Sequence, residues 1–176
     1  MSKLAARILI IAAVTIAGGI WLHIKGPIHV IRITTEIEAF APFWYMISAF
    51  PFLGLLIADL LDLYRDNGFS KRTLELACTL VVIVVLSNLR LGIRLPISGH
   101  SLVVSYFLFR RFFVDRNNNP ISRIEILVGI FVLTMLAYIK LSWWTDPITL
   151  GFGCIFGFIF ALIEKITIKP VPVQTN

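Results

Sequence analysis

Residues 90–107 read RLGIRLPISGHSLVVSYF. Two arginines, a proline, a Ser-Gly pair and a histidine stand together between two apolar runs that otherwise avoid charge. Pro96 cannot continue a helix, and a serine directly before an apolar run is a helix-capping signal at Ser98. The stretch therefore marks the end of one helix and the start of another. With that break fixed, the other apolar runs separate in the same way.

They fall at roughly 4–22, 41–62, 74–89, 97–109, 124–140 and 147–163. The 176 residues are 58% hydrophobic and 15% charged, with a mean hydropathy of +0.89. That is too apolar for an ordinary soluble domain. A membrane span needs about 20 mostly apolar residues, so a chain this short has little length left for anything else. The expected fold is all-α: a polytopic transmembrane bundle of about six spans forming one domain over residues 1–168. Residues 169–176, with two prolines and no apolar run, form an expected disordered cytoplasmic tail. The fourth run is the shortest and ends at Arg110 and Arg111, which would have to reach an interface. Pro51 falls inside the second run and should kink it.

Basic residues set the orientation. With the N-terminus inside, eleven of them (Lys3, Arg7, Arg65, Lys71, Arg72, Arg110, Arg111, Arg116, Arg123, Lys165 and Lys169) face the cytoplasm, against five (Lys25, Arg32, Arg90, Arg94 and Lys140) outside. Both termini are then cytoplasmic, the localisation is the cell membrane, and the partner is a lipid bilayer. The first run follows Lys3 and Arg7 like a secretory signal, but its length and the lack of a small-x-small cleavage site make it a retained span. The formal charge of +6 is scattered between apolar runs, which argues against a nucleic-acid partner. Cys78 and Cys154 lie inside apolar runs as small hydrophobes, and no cofactor motif is present. Trp21, Trp44, Trp143 and Trp144 sit near run ends, as an interfacial aromatic belt would.

On this topology the outer side holds His23, His29 and His100 with Glu36, Glu38 and Asp146. Ser98 and Gly99 at a helix start leave backbone N–H groups that favour an anion, and Arg90 and Arg94 add positive charge. His100 in the first turn would stand beside that anion as an acid or base. The bland alternative is a capped helix start with its arginines at headgroup level.

These residues resemble part of the membrane-bound type 2 phosphatidic acid phosphatases, the lipid phosphate phosphatases. That family carries Lys-x6-Arg-Pro, Pro-Ser-Gly-His and Ser-Arg-x5-His-x3-Asp motifs on outward loops of six spans. Ser98, Gly99 and His100 match the end of the second motif, with Ile97 between them and Pro96, and Asp146 lies where the third motif's aspartate would. The resemblance covers roughly residues 74–163. It implies that Arg90, Arg94, Ser98 and Gly99 hold a phospholipid or isoprenoid phosphate, with His100 as acid or base and Asp146 as the orienting group. Ser142 stands where the family has its nucleophilic histidine, and the first motif is absent as spaced. The expected function is thus a non-catalytic scaffold or accessory subunit of a membrane complex with an outward anion-holding corner. The alternative is a divergent lipid phosphate phosphatase lacking the usual nucleophile.

Three further patterns stand out. Asp59 and Asp62 share a helix face with Arg65 one turn on, which suits an intrahelical ion pair. His23, His29 and His100, with Glu36 and Asp146, could supply metal ligands only by converging from separate loops. Gly153, Gly157 and Ala161 form a small-residue stripe for close helix packing, against a helix of this or another chain.

Overall fold

The computed structural model describes residues 2–25, 41–93, 96–114, 120–143 and 147–167, with side chains described at 2–21, 49–87, 96–114, 123–138 and 147–167. Among these residues there are six helices: α1 (Lys3–Lys25), α2 (Ala41–Asn67), α3 (Lys71–Ile93), α4 (Gly99–Phe113), α5 (Pro120–Trp143) and α6 (Pro147–Thr167). The all-α bundle is as expected from the apolar runs. The six-span membrane assignment is not.

Among the described residues, two helical stretches, Lys3–Trp21 and Pro147–Thr167, are long and apolar enough to cross a membrane. Among the described residues, the remaining helices are short or carry charged residues. At 1.5 Å per residue, α4 with its 15 residues is about 22 Å long, short of a hydrocarbon core of about 30 Å. The second half of α2 carries Asp59, Asp62, Arg65 and Asp66. Lys71, Arg72 and Glu75 open α3, and Arg123 and Glu125 open α5. The charges of α1, α2, α4, α5 and α6 are moreover paired inside the bundle. The multi-pass assignment is therefore corrected to a helical bundle stabilised by internal ion pairs. The expected lipid-bilayer partner and cell-membrane localisation with cytoplasmic termini fall with it.

The bundle is built around α4, the run that looked weakest as a span. Residues Ser101 to Leu108 are buried without interruption, because α2, α3, α5 and α6 all pack on this helix. A helix enclosed on every side can be apolar all round, as Leu102, Val103, Val104, Tyr106, Phe107 and Leu108 are. The α6 face is different. It presents Gly153, Gly157 and Ala161, all buried, to Ser98, Ser101 and Ser105 of α4 and its cap. A Cβ on Gly157 would lie 2.7 Å from the Tyr106 backbone nitrogen and 2.9 Å from the Leu102 carbonyl oxygen. The small-residue stripe thus serves close backbone approach within this chain.

Local signals fix the helix ends. Gly68, at φ 58°, ends α2 in the left-handed conformation, its N–H donating to the Tyr64 carbonyl at 2.7 Å. Two residues later the Ser70 hydroxyl accepts from the Thr73 N–H at 3.2 Å and caps α3. Pro51 is accommodated inside α2, which continues through it from Ala41 to Asn67. Residues 169–176 lie outside the described residues, as do Lys169 and Trp144.

Candidate functional site: a buried ion-pair cluster

The Ser-Gly-His corner is a packing junction. Ser98 is fully buried; its N–H donates to the Thr149 carbonyl of α6 at 2.9 Å, and its hydroxyl accepts from the Ser101 N–H at 3.5 Å. The Ser101 hydroxyl in turn donates to the Ser98 carbonyl at 3.0 Å. A Cβ on Gly99 would lie 2.9 Å from the Ser87 side chain of α3, and one on Gly153 would lie 2.7 Å from the Ser98 carbonyl oxygen. Three helices, α3, α4 and α6, therefore meet at this corner. The expected membrane scaffold with an outward anion-holding corner, and the phosphatase alternative, are corrected with the multi-pass topology on which they stood, because the charges of the bundle pair internally. His100 stands in the first turn of α4, half-buried. Arg90 belongs to α3 and His23 to α1, but their side chains lie outside the described residues, as do Arg94, His29, Glu36, Ser142 (side chain) and Asp146 altogether. Among the described residues no group of three or more His, Cys, Asp or Glu is placed to hold a metal ion.

Charge is concentrated at the other end of α4, eleven residues or about 17 Å from the corner. Arg110, with its side chain 2% exposed, is the centre. Its Nη1 donates to Asp59 Oδ2 of α2 at 3.0 Å, and its Nε donates to Glu164 Oε1 of α6 at 3.0 Å. The other Glu164 oxygen accepts from the Tyr106 hydroxyl at 2.7 Å. One carboxylate thus receives a guanidinium and a phenol one helical turn apart on α4.

Arg111 extends the cluster sideways. Its Nη2 lies 3.0 Å from Asp59 Oδ2 and 3.0 Å from Glu125 Oε2 of α5, while its guanidinium stands 5.0 Å over the Phe107 ring. Arg7 of α1 forks across two carboxylates of α2: Nη2 to Asp59 Oδ1 at 2.8 Å and Nη1 to Asp62 Oδ2 at 2.7 Å. Burial works against the charged form of Arg7, yet the Asp59 charge and the hydrogen bonds to Asp59 and Asp62 outweigh it and raise its pKa above the ordinary value. Arg7 stays charged at any ordinary pH. The arginines at 7, 110 and 111 all meet at Asp59, so one short carboxylate on α2 joins α1 and α4.

Burying such groups is tolerated only because each is met by an opposite charge in hydrogen-bonding geometry. The intrahelical Asp59, Asp62 and Arg65 pairing expected from spacing is replaced by partners on other helices. Arg110 and Arg111, read as residues reaching an interface, point into the bundle instead. The signal that could have found this was a pair of aspartates inside an apolar run, since such acids require cations from somewhere. Comparison of the chain with protein-family models, with curated proteins and with solved structures finds no match.

Proposed function

We propose that the chain is a structural helical module, built to hold one arrangement of helices, and that the Asp59, Arg110 and Glu164 cluster is the element that fixes their register. One observation carries the reading. Arg110 and Glu164, exposed by 2% and 1%, are bonded to each other and through Asp59 to a third helix, where no substrate could reach them. An acid or base must come within hydrogen-bond reach of the reacting group, and these are committed to guanidinium and phenol partners instead. An apolar face alone can repack in a register shifted by a whole helical turn. A guanidinium with two fixed carboxylates cannot, which makes register the use such clusters serve best.

The test separates register from stability. Arg110→Ala leaves two buried carboxylates without this cation and should lose about 3–5 kcal/mol in urea unfolding. A combined Asp59→Leu, Tyr106→Phe, Arg110→Met, Glu164→Leu variant replaces the charges by apolar groups and should remain folded, with backbone amide resonances split into more than one set. A single sharp set in that variant, at wild-type positions, would rule out the register role.

A further inference from the structure

α1 stands apart from the rest of the bundle. The buried apolar core runs from Ala49 to Ala161 and takes no residue from α1 among those described. Among the described residues the backbone of α1 runs along α2, antiparallel to it, as three contacts in order reveal, and α1 approaches α5 through Arg7, 3.8 Å from Glu125. The Phe50 ring lies over Gly18, Gly54 admits the backbone of Ile11 to within 2.8 Å of where its own Cβ would be, and Arg7 reaches Asp59 and Asp62. The side of α1 away from α2 carries Leu9, Ile16 and Ile20, each more than half exposed. Thr15 adds nothing between helices, since its hydroxyl is satisfied by the Ile11 carbonyl at 2.7 Å.

We propose that α1 is a detachable strap on a bundle that is complete without it, and that Arg7 is the latch. Release would uncover a groove floored by Gly54 and edged by Asp59 and Asp62 of α2 and by Glu125 of α5. The bundle itself would keep its charge centre, because Arg110 and Arg111 remain on Asp59 and Glu125. The strap shares Asp59 with the register reading but rests on Arg7, Gly18 and Gly54, which that reading does not use, so either can fail alone. A released α1 loses the packing on α2 from which most helical stability in proteins comes, so its amides open more readily. Local opening of this kind is visible in amide exchange well below the threshold of global unfolding.

The experiment is hydrogen exchange on the full chain, comparing wild type with Arg7→Gln and, as an independent route to release, Gly54→Val. In wild type, the α1 amides should exchange faster than those of α4 and α6 as a separate group. Arg7→Gln should speed α1 by roughly ten- to hundredfold, as expected for a lost charge-assisted contact, and leave α4 and α6 within about twofold. Gly54→Val should act on the same amides. Exchange of α1 in step with α4 and α6, or an Arg7→Gln chain whose α1 is unchanged or whose helices all speed together, would overturn the strap.

Discussion

Tyr106 and Arg110 reach the two oxygens of one buried carboxylate, at 2.7 and 3.0 Å. Because Glu164 is charged, the phenol contributes more than a neutral hydrogen bond would. Tyr106→Phe keeps the packed ring and removes only the donor; it should lower unfolding free energy in urea by about 1.5–3 kcal/mol. Asp59→Asn should do more harm than Asp62→Asn, since Asp59 answers arginines from α1 and α4 while Asp62 answers Arg7 and is a third exposed. None of these partnerships was legible in the sequence. The partners stand 51 to 58 residues apart, so spacing along one helix suggested Arg65 for Asp59 and an interface for Arg110. The need was visible in the acids, but its answer lay in the tertiary fold.

Helices, by contrast, could be read closely. The break at 90–107 puts the end of α3 and the start of α4 where Ile93 and Gly99 stand, and Ser98 caps α4 as its place before an apolar run implies. Apolar length, however, did not distinguish a span from a central helix: α4 is apolar because helices surround it. The glycine stripe was legible as a packing device, and only the structure supplied its partner, α4. That pairing makes two glycines one turn and a half apart behave differently. A Cβ at Gly157 meets fixed backbone atoms within 3 Å, so Gly157→Ala should destabilise by about 1–3 kcal/mol. A Cβ at Gly151 points to a different side of α6 and meets nothing within 4 Å, so Gly151→Ala should be neutral or stabilise by up to about 1 kcal/mol through helix propensity. Thermal unfolding of the two single variants measures the contrast directly.

Across the whole molecule, polar matter is drawn inward at one end while large apolar side chains face out along the flanks. Ile124, Leu127, Val128 and Phe131 of α5, spaced i, i+3, i+4 and i+7, are all exposed, and Leu127 is 66% exposed. A contiguous stripe of this kind adheres to apolar probes. The purified chain should bind a hydrophobic fluorescent dye, and Leu127→Glu with Phe131→Glu should cut the signal while leaving the unfolding midpoint nearly unchanged. The charge centre has a different consequence, set by the order in which a ribosome delivers its parts. Arg7 waits for Asp59, Arg110 arrives 51 residues after Asp59, and Glu164 follows 54 residues later still. At roughly 5–20 residues per second, the last interval keeps Arg110 without its α6 carboxylate for about 3–11 s. A nascent chain halted before α6 would therefore carry an incompletely neutralised guanidinium and an uncovered serine face, the marks by which quality-control machinery could tell an unfinished product from a finished one.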